Sequence, residues 1–377
     1  MTRLLSRKFA ALIGFASILV MPVTAFAATS GVNDPAANNP DQYFRGTVTT
    51  ISSETTDPED QSITQQLDVK TTSGIYQKVL NTVDPKISRG RVQPGDEVVV
   101  IKTPGMPGSP DTFYVSDYYR LTNIIWFALF FFIIVLILGR WRGFTSIIGL
   151  IGSVAILIGF ILPLIIHGHS PTLVITAGSI LIVCVSMFFA HGFNKATTIA
   201  VASTGITLVF ASIIAAFSVR LTFLFGTGSE EALFVQLANN ATLDLRGVLL
   251  AGIIIGALGV LDDITSAQTA SVRELYDTKP DITFNELFGR VMRIGREHIA
   301  SLVNTLVLAY AGAAFPLFLL FYSTEAQPLW VMINSQQIAE ELVRTLIGST
   351  ALVFAVPISS ALAAYFYTKK PSHPNTI

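Results

Sequence analysis

Charge is what this chain of 377 residues has least of. Asp, Glu, Lys and Arg make up 13% of it, about half the share in a soluble globular domain, while apolar residues reach 51% and mean hydropathy is +0.59. A water-soluble enzyme of this size is excluded. Cysteine is nearly missing too: Cys184 stands alone, cannot close an internal disulfide, and reads as a small core hydrophobe within an apolar run. The few His residues and single Cys show no zinc-like spacing, and no His-Glu-x-x-His occurs. The 24 basic and 25 acidic residues leave a formal charge of -1, so no overall field favours nucleic acid, which is not expected as a partner.

What is present begins with an address. Arg3, Arg7 and Lys8 precede an apolar run from Phe9 to Val20, and Ala25-Phe26-Ala27 is the small-x-small pattern of a signal peptidase site. Cleavage after Ala27 is expected, which makes 1–27 a signal peptide. The alternative, an uncleaved first span, meets a run shorter than the roughly 20 residues that cross a bilayer. Residues 28–119 are polar, Thr-rich and punctuated by Pro and Gly, with β-favouring stretches at 44–51, 63–71, 75–81, 97–103 and 112–115. Five short strands suggest a small barrel outside the cytoplasm. Pro94-Gly95-Asp96 is a turn feeding the fourth, and residues 104–108 form an exposed loop. Glu54, Asp57, Glu59 and Asp60 crowd one stretch without the alternating acids and Gly of a calcium loop. A binding or assembly role, with a protein partner, is expected here before chemistry.

The rest reads as a polytopic all-α membrane bundle of seven helices over 120–368. Uncharged runs place the spans at about 121–138, 144–166, 171–190, 196–219, 247–264, 299–321 and 345–367, with a tail at 369–377. Basic residues fix the orientation, because Lys and Arg gather in short cytoplasmic loops. With the N-terminal domain outside, the inner segments hold Arg140, Arg142, Lys195, Arg273, Lys279, Arg290, Arg293, Arg296, Lys369 and Lys370. Only Arg120, Arg220, Arg246 and Arg344 stand at outer helix ends, where they can snorkel. The expected location is a plasma membrane with the C-terminus inside.

Between spans five and six, residues 283–297 form an amphipathic segment. Thr283 and Glu286 make a capping box, and Phe284, Leu287, Phe288, Val291 and Ile294 recur at helical spacing, with Arg290, Arg293 and Arg296 on another face. Two positions suit it: the inner headgroup layer, its arginines on anionic lipid, or against the bundle as a gate.

Span five is the informative one. Gly252, Gly256 and Gly259 suit close helix approach. Asp262 and Asp263 lie in or at the edge of the hydrocarbon core, and Thr265, Ser266, Gln268 and Thr269 continue a polar stripe. Span six offers Glu297, His298, Ser301, Asn304 and Thr305, and Asp263 is expected to face them or a water-filled cavity. Two readings stand: the charged groups only mark where helices leave the membrane, or the cluster handles a cation or proton, with oxygens that suit hard cations. Pro163, Pro316 and Pro357 are expected to break the backbone in or near spans. An intramembrane aspartyl protease needs facing acids on two helices, whereas Asp262 and Asp263 are consecutive and point about 100° apart. No enzyme and no cofactor is expected.

Together these motifs carry a resemblance: Gly192-Phe193-Asn194-Lys195-Ala196-Thr197, Leu243 to Gly247, Gly256 to Asp263, Arg273-Glu274-Leu275, Gly295-Arg296-Glu297, Asn304-Thr305-Leu306, Ala309-Tyr310, Glu341 to Arg344, and Pro357. The chain resembles the YibE/F family of bacterial multi-span membrane proteins over about 120–367. The resemblance implies membership and location and carries no activity. It maps the family's acid in span five onto Asp263 and matches Asn304. Asp262 stands where many members have an apolar residue or Asn, and Glu297 where Asp is usual. The resulting expectation is a transporter or permease-like protein for an ion or small solute, with its polar site between spans five and six. The alternative is a non-transporting scaffold or sensor acting through its outer domain.

Overall fold

The computed structural model describes residues 42–58, 61–72, 74–83, 91–105, 109–238, 243–323 and 328–369. The expected signal peptide, Glu59, Asp60, part of the 104–108 loop and all of the tail after Lys369 lie outside them. Two compact units divide between Val135 and Leu136. This is some fifteen residues later than the composition shift suggests, because the first helix begins in the N-terminal unit.

In that unit five strands, β1 (Gln42–Thr56), β2 (Ile63–Thr71), β3 (Tyr76–Val83), β4 (Glu97–Thr103) and β5 (Thr112–Tyr118), close a barrel in the order β1-β2-β3-β5-β4. All pairs are antiparallel except β3 with β5, which meet in parallel at Leu80 and Tyr114. This is the Greek-key arrangement of the OB fold. Alternation drives it: in β2 every second residue from Ile63 to Val69 is buried, and Leu67, Val69, Val79, Val98 and Val100 are wholly enclosed. β1 serves two neighbours, β4 with its first half and β2 with the remainder, and bends through irregularities after Val48 and Ile51. At the crossover stands Gly46, where a β-carbon would run into the Val69 side chain.

The barrel's one buried polar pair is fully occupied. Gln65 accepts from the Asn81 amide (2.9 Å) and the Val92 backbone N–H (3.1 Å), and donates to the Val92 carbonyl (3.4 Å) and Glu54 (3.3 Å). One side chain thus pins the segment before β4 across the barrel end.

The second unit is helical: α1 (Leu121–Ile156, shared with the first), α2 (Leu162–Ile166), α3 (Pro171–His191), α4 (Lys195–Leu221), α5 (Glu230–Ala238), α6 (Leu245–Thr278), α7 (Phe284–Ala313), α8 (Phe315–Ser323), α9 (Leu329–Ile333) and α10 (Gln336–Thr368). Among the described residues five helical stretches are long and apolar enough to cross a membrane, where seven spans were read from the sequence. The first, Leu121–Ile166, runs 46 residues and contains both expected spans 121–138 and 144–166. They meet at Arg140, whose φ of 50° interrupts the helix without a loop.

Pro163 acts as expected. Lacking an N–H, it cannot donate to the Gly159 carbonyl one turn back, and the preceding turn widens into a π-helix at Leu157–Ile161. Pro316 splits the expected span 299–321 at Ala314, while Pro357 stays inside an unbroken α10.

Three boundaries differ from the sequence reading. α6 continues fourteen residues beyond Ile264, α10 starts nine before Thr345, and the amphipathic segment is no separate element but the first half of α7. Thr283 does cap α7, accepting from the Glu286 N–H. The Glu286 carboxylate, however, pairs with Lys279 (3.2 Å) and Arg290 (2.7 Å) instead of closing the box. The Lys279 hydrogen bond, with Arg290 beside it, holds that carboxyl below its ordinary range. Leu287 and Val291 pack with Ile199 of α4, Val272 of α6 and Ala363 of α10. Much of the face read as lipid-seeking is therefore spent on protein.

Polar and apolar residues are inverted relative to a water-soluble bundle. Ser203, Thr204, Thr207, Thr265, Gln268, Ser359 and Ser360 are fully enclosed, while Ile213 and Phe217 of α4 are each 64% exposed. Enclosed hydroxyls survive by bonding back to carbonyls one turn earlier, as Ser203, Thr207 and Ser359 do.

Candidate functional site

From Asp262 to Thr269, α6 is polar on every side, and Asp262, Thr265 and Gln268 each meet a different neighbour. Asp262 accepts from the Ser186 hydroxyl of α3 at 2.8 Å. Thr265 shares a hydrogen bond with Thr204 of α4 at 2.6 Å. Gln268 is enclosed between α7 and α10: its carbonyl accepts from the Ser360 hydroxyl at 3.1 Å, and its amide nitrogen lies 3.1 Å from His298 Nδ1. Gly295 makes this last contact possible. A β-carbon there would collide with Val356 and come within 3.2 Å of Gln268 Oε1.

Of the residues expected to converge, the structure brings together Gln268 and His298. Asp262 and Asp263 turn the other way, toward α3 and α4. Glu297, Ser301, Asn304 and Thr305 lie exposed on α7, with the Thr305 hydroxyl bonded back to the Ser301 carbonyl. The expected pocket between spans five and six is thus two separate sites on opposite sides of α6. The physical reason is helical: Asp263 and Gln268 are five residues apart, about 140° around the axis at 100° per residue. Asp263 does not meet the polar residues of span six and instead lines a cavity with residues of α4 and the α3–α4 turn.

That cavity, of about 440 Å³, is walled by Asp263, Ser266 and Thr269 of α6, Thr197 of α4, and His191 and Asn194 at the α3–α4 turn. The turn is built locally: Gly192 takes a φ of 79°, and the Asn194 side chain caps α4 by accepting from the Thr197 N–H at 3.0 Å. A larger cavity of about 530 Å³ beside α8 and α9 is lined by Phe315, Phe318, Met332, Ile338 and Leu342 and offers almost no polar group to orient a solute. Among the described residues no three His, Cys, Asp or Glu side chains come together to hold a metal.

The glycines of α6 do something other than the expected helix contact. A β-carbon on Gly252 would lie 3.7 Å from the Arg344 guanidinium, one on Gly256 would meet the Tyr310 hydroxyl, and one on Gly259 would meet nothing within 4 Å. Only Gly256 therefore makes room for a polar tip, the Tyr310 hydroxyl of α7, since 3.7 Å at Gly252 is ordinary contact. Arg344, expected to snorkel, instead lies against α6 with Glu341 3.5 Å away and its buried Nε unpartnered.

Sequence reading missed Ser186, Thr204 and Ser360 as partners, and Gly295 as the gap beside Gln268. A serine or threonine in an apolar helix is normally self-satisfied, so only the partner helix reveals its use. Gly295 did carry a signal, a lone small residue on the apolar side of an amphipathic stretch.

No curated protein and no solved structure matches the chain. The profile of one family, YibE/F-like protein, matches residues 127–369, well over half of the chain and nearly all of its helical part. With the Gly192–Thr197 turn, the Asp263 cavity and the Gly295 gap all inside the matched stretch, this chain belongs to the YibE/F-like family.

Proposed function

We propose that the protein is a seven-span transporter or permease of a bacterial plasma membrane, moving an ion or small solute past the polar stretch of α6. Under this reading a cleaved signal peptide delivers the barrel to the outside. The spans are the two halves of the 121–166 stretch, then α3, α4, α6, the second half of α7 with α8, and α10. The end carrying Arg142, Lys195 and Arg273 faces the cytoplasm. The observation that carries the proposal is the hydroxyl and amide seam around α6, partly buried at Asp262–Ser186 and enclosed at Thr265–Thr204 and Gln268–Ser360. Polar groups buried among apolar helices are costly and mark substrate paths in membrane proteins.

Purified protein in liposomes, given imposed ion and solute gradients, is expected to dissipate one of them. Asp263→Asn, which keeps size and removes charge, should abolish that flux without loss of folded protein. If no gradient is dissipated, transport falls. The second reading, a scaffold or sensor, draws on the barrel's complete and separately satisfied core. Deletion of 29–119 would then remove the cellular phenotype while Asp263→Asn leaves it intact.

A further inference from the structure

We infer that the cavity beside Asp263 is a binding site for a phosphate-type oxyanion, held at its Arg142–Arg273 end. Asp263, Ser266, Ala270 and Arg273 follow one face of α6 along the cavity wall, so the cavity extends about 15 Å along the helix. Asp263 stands at one end. Arg273 stands at the other, and Arg142 and His191 share the wall, with Glu274 the one carboxylate besides Asp263 among the lining residues. Ile199 and Val272 pack in one cluster, which sets the first turn of α4 level with that basic end.

Four observations converge on an anion. First, the Arg142 guanidinium is exposed and has no hydrogen bond or ion pair among the described residues, and Arg273 has only the exposed Asp277 at 3.5 Å. Second, the start of α4 enters the cavity at Ala196. Asn194 takes the Thr197 N–H and leaves those of Lys195 and Ala196 without a partner in the helix. Third, Thr269, 1% exposed, lines the same wall one turn from Arg273, and its buried hydroxyl has no partner. Its neighbours Thr265 and Gln268 are both satisfied. Fourth, a volume of about 440 Å³ admits a phosphate with room to spare.

A divalent cation would meet two guanidinium groups and no cluster of three ligands. A tetrahedral oxyanion, by contrast, can take several donors at once, the geometry in which guanidinium, hydroxyl and helix-start N–H groups act together. Such an anion can be free in solution or be the phosphate of a lipid headgroup, and the chemistry of the site is the same. The inference stands apart from transport, because a chain that moves nothing across the bilayer can still hold the anion.

The test uses the full chain in nanodiscs of phosphatidylcholine, with inorganic phosphate binding read by calorimetry. Saturable binding is expected. Arg142→Gln and Arg273→Gln should each weaken it about tenfold or more, Thr269→Val about threefold, and Arg290→Gln, whose arginine is paired with Glu286, should leave it unchanged. Arg142→Lys and Arg273→Lys should recover part of the loss.

A second arm replaces a third of the lipid with phosphatidylglycerol. Loss of phosphate binding there, with phosphatidylglycerol retained on the purified protein only while Arg142 and Arg273 are present, assigns the site to a headgroup. Retained phosphate binding assigns it to a free anion. The inference is overturned if neither phosphate nor phosphatidylglycerol is held in an arginine-dependent way, or if Arg290→Gln weakens binding as much as the cavity variants. Should the glutamine variants fail to fold, unchanged affinity in Thr269→Val for both ligands overturns it as well.

Discussion

The barrel and the helical unit bury polar groups on different terms. In the barrel, Gln65 and Asn81 are enclosed and bonded to each other, and Gln65 reaches two backbone groups and an acid besides. Among the described residues, every buried side-chain oxygen or nitrogen without a partner lies in the helical unit: Ser179, Asp262, Thr269, Ser335, Arg344 and Ser349. A small barrel has little apolar area and cannot spare an unpaired group. A long helix bundle can carry several, and where they face a cavity they are available to a ligand. The barrel is thus organised as a finished scaffold, and the bundle holds polar capacity in reserve.

The largest break in that contrast is expected at Gln65. Gln65→Leu keeps the volume and removes four hydrogen bonds, stranding the Val92 N–H and the Asn81 amide in the barrel interior. A loss of about 3 kcal/mol is expected, from two buried donors left unpaired. Hydrogen exchange on the full chain should show faster exchange throughout β2, β3 and β4, with the amides of α6 and α10 unchanged. Slowed exchange in those helices, or no change in the barrel, would contradict the division of roles.

A smaller effect is expected in the bundle from one methyl group. Gly295→Ala places a β-carbon on Val356 and against Gln268, so α7 must move off α6 and α10. Overpacking of this kind costs about 1–3 kcal/mol, and it should lower the melting temperature in detergent while barrel exchange stays as it was. Gly259→Ala is the matched control. Its β-carbon meets nothing within 4 Å, and relief of glycine's helix penalty should leave stability equal or up to about 1 kcal/mol higher.

How much of this was legible in the sequence differs between the two regions for a physical reason. Strand alternation is local, so the five strands and their barrel could be read to within a few residues, with β1 the exception because its second half pairs beyond the apolar core. In the helical part, apolar runs located the helices but not their ends. α6 runs past Ile264 because Val272 and Leu275 pack on protein, and hydropathy does not distinguish a protein neighbour from lipid. The acids of α6 were legible as out of place, yet which way they face depends on rotation around an axis, and that depends on neighbours. Ser360 and Gln268 are far apart in the chain, as are Arg142 and Arg273, and nothing in either segment alone announces its partner. Gly256 was legible as a gap, but the expected occupant was a helix backbone, where the structure puts the tip of a tyrosine.

The smallest effect sharpens the comparison through pH. Asp68, at the barrel surface, accepts from the Ser52 hydroxyl at 2.7 Å and from the Thr50 hydroxyl at 2.9 Å. These hold its carboxyl below the ordinary range, Ser52 most, with Lys78 contributing. A carboxyl whose folded value is depressed binds its proton more readily when unfolded. Its contribution is therefore full above the ordinary carboxylate range and fades as pH falls through the lowered value. Asp68→Asn should reduce barrel protection slightly at about pH 6, and the gap from the native chain should narrow as pH falls below the ordinary carboxylate range and close once it passes the lowered value, with rates corrected for intrinsic exchange. A gap that stays constant over that interval would mean that packing of the side chain, and not its charge, is what β1 and β2 use at this position. The amides of α6, which has no part in this hydroxyl pair, should follow the same course in both proteins.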